Sequence, residues 1–207
     1  MSSKPSLQRP YSFGFTAASL RPELLVVLAE KFMKVGSWDL AKEEVLRTNA
    51  LQCRSPNSSN RLERELRPRL QTLTRPQLEL VCHATAESRT HLAWLAAVKH
   101  SAFLFDFAAE SLRAKLEQHE TVLRLSDYRR FLEEKANQHP ELASLTESST
   151  GKVQRVVLRM LREVGILGKG PDLGSLHRPV IPTNVEQAIR LDDPRWLAAF
   201  LVPNKEI

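Results

Sequence analysis

Val153, Val156, Val157, Met160, Leu161 and Val164 recur at i, i+3, i+4, i+7, i+8 and i+11. At 100° per residue that spacing gathers all six on one broad arc, which an α-helix can bury and a strand cannot. Lys152, Arg155, Arg159 and Arg162 fall on a narrower arc roughly opposite, with only Glu163 to offset them. One side of this helix is therefore core and the other is a row of four cations. Ser148, Ser149 and Thr150 read as a hydroxyl-rich cap at its start, with Ser149 and Thr150 near phosphate if the helix meets DNA, and Gly165 ends it. Exposed helix faces usually mix charge signs, so a row this one-sided fits either a solvated face or a DNA major groove, where arginine bonds guanine bidentately.

The surroundings of that helix suggest a known arrangement. Ser126 and Asp127 read as the cap of a preceding helix bearing Tyr128, Phe131 and Leu132, stopped at His139-Pro140. After Gly165 come a short apolar run (Ile166, Leu167), a Gly/Pro-rich loop, and a second β-prone run, Pro179-Val180-Ile181-Pro182. Helix, turn, helix and two short strands about a glycine loop is the order of a winged helix. Gly165-Ile-Leu-Gly168-Lys169-Gly170 follows a helix instead of opening one, so a wing turn explains it better than a phosphate loop. Trp196 and Phe200 would fold back on this unit.

Upstream, the pattern is helical with punctuation. The first ten residues read as a loose arm, and Tyr11-Ser-Phe-Gly-Phe15 as an extended segment whose greasy face packs over a helical core. Pro22 opens a helix carrying Leu24, Leu25, Val27, Leu28 and Phe32 that Gly36 closes. Ser37 caps the next. Arg54-Ser-Pro-Asn-Ser-Ser-Asn60 reads as a polar loop into a helix over Arg61–Leu70, kinked or ended by Pro68. Thr74-Arg-Pro76 opens another. From Thr90 to His119 one long helical stretch carries Trp94, Leu95, Val98, Phe103, Phe107, Leu112 and Leu116 as shared core. The expected fold is mostly α: an N-terminal helical bundle-like domain over 1–120, then a winged-helix-like DNA-binding domain over 121–207.

Arg54, Arg61, Arg64, Arg67 and Arg69 form a second basic group, with Asn57, Ser58, Ser59 and Asn60 among them. Arg61, Arg64 and Arg67 share a helix side, and the Ser/Asn-rich stretch offers hydroxyls, amides and free N–H groups to phosphate. Glu63 and Glu65 dilute that charge, and a solvated face explains it equally well. Thirty Lys and Arg against 24 Asp and Glu leave a net charge of +6, which favours polyanionic partners without requiring them.

Other chemistry finds no support. The six histidines never fall three or four residues apart, and no zinc-protease, nucleophile-elbow or Walker pattern occurs. Cys53 and Cys82 make neither a disulfide framework nor a zinc quartet. The stretch Leu92–Leu112 is broken by Lys99, His100, Asp106 and Glu110, and the N-terminus has no apolar core of signal-peptide length. A cytoplasmic, non-catalytic protein without cofactor, metal or membrane anchor is expected.

Several stretches together resemble one family. Tyr11-Ser-Phe-Gly-Phe-Thr-Ala-Ala-Ser-Leu20, Trp38-Asp39 with Glu43-Glu44, and Arg54 through Glu65 match its blocks in order. So do Leu92-Ala-Trp94, His139-Pro-Glu-Leu142 and Leu158-Arg-Met-Leu-Arg-Glu-Val-Gly165. The chain thus resembles BrxA, the small accessory protein of BREX bacteriophage-exclusion systems. The resemblance implies a helical protein that binds double-stranded DNA and works beside the methyltransferase, ATPase and phosphatase-like BREX components. A likeness of the helical part to RNA-binding antitermination factors keeps RNA open as a ligand, and basic faces docking on acidic surfaces of larger BREX subunits is the rival expectation. Pro68 departs from the uninterrupted helix expected there.

Overall fold

The structure, a computed structural model, describes residues 9–207. The loose arm expected over the first ten residues lies mostly outside that range. The described residues form ten α-helices and a small antiparallel sheet, and most of them are helical.

Helices α1 (Pro22–Val35), α2 (Trp38–Arg47), α3 (Pro56–Leu70), α4 (Arg75–His83) and α5 (Ala86–His100) make the first layer. Their ends follow local chemistry. Pro22 sits at the start of α1, and Gly36 closes it in the left-handed region at φ 71°. The Ser37 hydroxyl accepts from the Leu40 N–H, and Gln77 accepts from the Thr74 N–H in a capping box. Helix α5 is the hub: Leu92 through Val98 are all buried, against α1, α3, α4 and a C-terminal 3-10 turn, Pro194–Phe200. The Trp94 indole donates to the Ala199 carbonyl at 3.0 Å, Phe200 stacks near His91 and Trp196 meets Phe105 edge-on, so the C-terminal turn, expected to fold back on the unit over 121–207, packs instead on the layer built around α5.

The long helical stretch expected from Thr90 to His119 is broken. It begins at Ala86, and Ser101 interrupts it in extended backbone, capping the next helix with its own hydroxyl. Helices α6 (Ala102–Asp106) and α7 (Arg113–Glu117), joined by a π-turn over Phe107–Leu112, continue at 112° to α5. Unbroken, the rod would run roughly 50 Å and could not keep Trp94 and Phe107 in one core. No single helix among the described residues is long and apolar enough to cross a membrane.

The segment Tyr11–Leu20 straps this layer. Tyr11 and Phe15 are buried, with Tyr11 and Phe13 edge-on to Phe103 at 5.3 Å, as the greasy-face reading anticipates. Gly14–Ala17, however, is a 3-10 turn and not extended chain. A Cβ at Gly14 would lie 2.7 Å from Glu65 Oε2, so a side chain there would have to displace the carboxylate that pairs with Arg69.

Beyond residue 120 the order is β1 (Val122–Leu123), α8 (Leu125–Ala136), α9 (Glu147–Glu163), β2 (Leu167–Gly168), β3 (Gly174–Leu176) and α10 (Thr183–Asp192). The sheet order is β1-β3-β2, both pairs antiparallel. Three expectations need correction. The second strand is Gly174–Leu176, not Pro179–Pro182; the two prolines bracketing that run cannot donate to a ladder. Helix α8 is capped not by Ser126 but at Arg124, whose N–H donates to the Asp127 carboxylate at 2.8 Å. Helix α9 starts at Glu147, capped by Thr146 in place of Ser148, Ser149 or Thr150, which form its first turns. Buried residues from both sides of residue 120 join in one hydrophobic cluster.

The β2–β3 hairpin depends on one glycine. Gly174 has φ +139°, and a Cβ there would meet the Gly168 carbonyl at 2.4 Å. Gly174→Ala is expected to cost about 1–3 kcal/mol through backbone strain alone, read as a lowered midpoint in a thermal melt.

Candidate nucleic-acid interface

Helix α9 turns its two arcs as the sequence pattern demands. Val153, Val157, Met160 and Leu161 are buried, and Lys152, Arg155, Arg159 and Arg162 are exposed. The four cations are not equivalent. No hydrogen bond or ion pair holds Lys152 or Arg155 within the described residues. The Arg159 Nε sits 2.9 Å from Glu163 Oε1. Arg162 Nη2 donates to the Leu173 carbonyl at 3.0 Å, across the β2–β3 loop.

Glu163 is the hinge of this face. Its second oxygen accepts from the Ser19 hydroxyl at 2.7 Å and the Leu20 N–H at 3.0 Å. Burial works to raise its pKa, but these bonds and the Arg159 guanidinium together hold it below the usual carboxylate value. The lone acid of the cationic row thus ties α9 to the N-terminal strap.

Ser149 and Thr150, expected near phosphate, are half-buried and partly spent. The Ser149 N–H donates to the Thr146 hydroxyl, and the Thr150 hydroxyl donates to the Thr146 carbonyl at 3.1 Å. Their hydroxyls serve the first turn of α9 before any ligand.

The second basic group changes more. The polar loop expected over Arg54–Asn60 is already helix from Pro56, with the Ser55 hydroxyl accepting from the Ser58 N–H at 3.2 Å. Asn57, Ser58 and Asn60 are exposed on the first turn, whereas Ser59 is buried. Asn60 donates to the Pro56 carbonyl. Pro68 neither breaks nor stops the helix at once: α3 runs on to Leu70, because only the final turn loses a backbone bond.

Among the arginines, Arg54, Arg61 and Arg64 are exposed. Arg67 leans back on the buried carboxylate of Glu63, so the expected Arg61-Arg64-Arg67 side loses its third member to an internal pair. Arg69 points the other way. It is fully buried, donates to the carbonyls of Ser19 and Ala18 at 2.7 and 2.9 Å, and pairs with Glu65 at 2.8 Å. Burial pulls its guanidinium below the ordinary arginine value, opposed by Glu65 and Glu163.

Helices α3 and α9 therefore both grip the Tyr11–Leu20 strap, one through Arg69 and the other through Glu163. Helix α8 also carries exposed Arg129 and Arg130, which the sequence reading did not single out. Lys169, between Gly168 and Gly170 in the β2–β3 loop, is a further exposed cation. Among the described residues no group of three or more His, Cys, Asp and Glu is placed to hold a metal. A hollow of about 190 Å³ is lined by Lys115, Glu120, Asp127 and Glu134 among others. Lys115 there is already paired with Glu120 and Asp127.

Comparison with known proteins gives one family. The BrxA family model matches residues 9–193. The BREX protein BrxA of Escherichia coli strain HS is 29% identical over 139 residues, 67% of this chain and 65% of that protein. The BREX protein BrxA of Bacillus cereus is 25% identical over 149 residues, 72% of this chain and 74% of that protein. The chain's match thus spans a little under two-thirds of the Escherichia coli relative. A crystal structure of an uncharacterized protein from Magnetospirillum magneticum shares the fold, with TM-score 0.79 at 22% identity over 93% of this chain and 98% of that one. The matched stretch takes in the strap, both basic helices and the β2–β3 hairpin, and the chain belongs to the BrxA family.

Proposed function

We propose that the chain is a non-catalytic, double-stranded-DNA-binding accessory subunit of a BREX phage-defence system, acting in the cytoplasm beside the system's methyltransferase, ATPase and phosphatase-like proteins. The observation that carries the reading is the exposed face of α9, where Lys152 and Arg155 have no hydrogen-bond or ion-pair partner among the described residues. The opposite face is locked in the core. The order β1-α8-α9-β2-β3 with sheet order β1-β3-β2 supports a winged helix in which α9 is the recognition helix. In that reading residues 121–207 form the DNA-binding unit and residues 1–120 the helical support. Arginine and lysine on one exposed helix face enter a major groove and reach guanine edges and flanking phosphates. Arg54, Asn57, Ser58, Asn60, Arg61 and Arg64 on the start of α3 provide a second, weaker phosphate surface.

Counterion release tests the proposal. A labelled duplex titrated with protein between low and physiological salt should bind with a log–log slope of roughly −3 to −5, at about −0.9 per neutralised phosphate. A folded sample with no affinity for any duplex at low salt would turn the basic faces over to acidic protein surfaces. Preference for a structured RNA of equal length would make RNA the ligand.

A further inference from the structure

We infer that this chain associates with copies of itself head to tail. The Pro179-Val180-Ile181-Pro182 loop of one copy seats in an apolar groove between α8 and the start of α9 of the next. The inference is independent of what the cationic face of α9 binds.

The loop is tied at both ends and left bare in the middle. Before it, the His177 N–H donates to the Ile166 carbonyl at 2.9 Å, and Arg178 Nε donates to the Leu201 carbonyl at 2.8 Å. After it, the Pro182 carbonyl accepts from the Val185 and Glu186 N–H groups at the start of α10. Between these ties the two prolines fix φ, remove two donors and push Arg178 and Ile181 towards extended backbone. Pro179 and Ile181 are half-buried, whereas Val180 is 83% exposed. A proline-bracketed, extended run has little conformational entropy left to lose, which suits it to enter an apolar groove.

Such a groove lies at the other end of α9. Leu132 of α8, Leu142, Ala143 and Leu145 of the connecting segment, and Thr150 of α9 line a hollow of about 230 Å³, together with Glu133. The three leucines are only half-buried. The hollow has room for an aliphatic side chain, and none of the described residues fills it.

Charge favours the same pairing. From Phe131 to Gly151 the chain carries Glu133, Glu134, Glu141 and Glu147 against Lys135 and His139. Lys135 is turned onto Glu110 at 2.6 Å, and His139 is buried against the Tyr11 ring. Glu133, Glu134 and Glu147 are exposed, so the surroundings of the groove are acidic. From Gly174 to Val185 there is no acid, and the guanidinium of Arg178 stands exposed beside Pro179. Opposite charges thus flank the apolar knob and the apolar socket, which fixes partner and register.

One molecule cannot fill its own groove. A Cβ added at Gly165 would meet Pro179 Cβ at 4.0 Å, which places the loop just past the end of α9, whereas Thr150 belongs to its first turns. The helix between them spans on the order of 20 Å. Knob and socket are different surfaces, so the contact between copies is heterologous and repeats from one copy to the next. One loop in one groove buries less than the roughly 1,200 Å² of a stable interface, so the association is weak.

Sedimentation of the full-length chain over a concentration series tests this without DNA. The average mass of the parent should climb above the 23.5 kDa monomer, with a dissociation constant on the order of 100 µM. Val180→Glu spoils the knob and Ala143→Glu blocks the socket, and each should weaken association at least tenfold. Both change exposed side chains, so their melting temperatures should match the parent's. Each variant keeps the half that the other has lost. A mixture of the two should therefore form a one-to-one pair and nothing larger. Three results would overturn the inference. A parent that stays monomeric to about 500 µM, several times the expected constant, would leave the groove to a segment of another protein. A variant that associates as the parent does would place the contact elsewhere. A mixture without pairs would show that knob and socket do not meet.

Discussion

Changing Arg155 and Arg159 together to alanine is expected to lower duplex affinity at least tenfold while leaving the fold intact. Arg155 has no partner to lose among the described residues. Arg159 loses one exposed pair with Glu163, and an exposed i, i+4 pair contributes only about 0.3–0.5 kcal/mol. On the DNA side the loss is larger. A bidentate arginine contact with guanine is worth about 1–3 kcal/mol, and even two phosphate contacts would remove about 1.8 from the salt slope. Glu163 sharpens the comparison, because in the free protein it already holds Arg159 at 2.9 Å and must share it when phosphate arrives. Fluorescence anisotropy with a labelled duplex at two salt concentrations, alongside a thermal melt, reads both quantities. Parent-like affinity in the double variant would remove α9 as the recognition element.

The helix period made α9 legible because one side had to be apolar to be buried; Val153, Val157, Met160, Leu161 and Val164 are buried, and Val156 is half-buried at the edge of the arc. The same reasoning found α1, its closing glycine and the aromatic strap. It erred where tertiary contacts overrode local pattern. Ser101 breaks the longest helix because two runs of core residues must face one interior, a demand invisible in a window of fifteen residues. The caps of α8 and α9 moved by a few residues since serine, threonine and aspartate crowd both starts, and hydrogen bonding chose Thr146 over its neighbours. The strand was sought in Val180 and Ile181 for their β-propensity. It lies instead in Gly174-Ser-Leu176, where backbone pairing with β1 and β2, and not side-chain type, decides.

Charge was the least legible property, since the sequence lists cations but not their partners. Arg54, Arg61, Arg64, Arg67 and Arg69 look alike on paper. In the fold the first three face outward, Arg67 answers a buried glutamate, and Arg69 is interior. A hint was available: Glu63 and Glu65 stand four residues before Arg67 and Arg69, the favourable order for pairs along a helix. What no spacing rule supplied is that Arg69 would reach across to the strap.

Arg69→Ala should accordingly be the most destabilising change among the basic residues, in contrast to Arg61→Ala or Arg64→Ala. The guanidinium satisfies the carbonyls of Ser19 and Ala18 and the carboxylate of Glu65 from a position with no exposed surface. Removing it leaves two strap carbonyls without their donor and Glu65 nearly buried and unpaired. Breaking such a buried pair from one side costs about 3–5 kcal/mol. In a chain of this size that corresponds to a fall in melting temperature of roughly 10 °C or more. Arg69→Lys keeps the charge but cannot span both carbonyls and the carboxylate, so it should fall between the parent and the alanine variant. Arg61→Ala and Arg64→Ala should melt within about 0.5 kcal/mol of the parent, as exposed changes do. Their effect belongs instead to the salt dependence of duplex binding. An Arg69→Ala protein as stable as the parent would mean that the aromatic packing on Phe103 and the Glu163 bonds suffice to hold the strap, and that the buried guanidinium is dispensable.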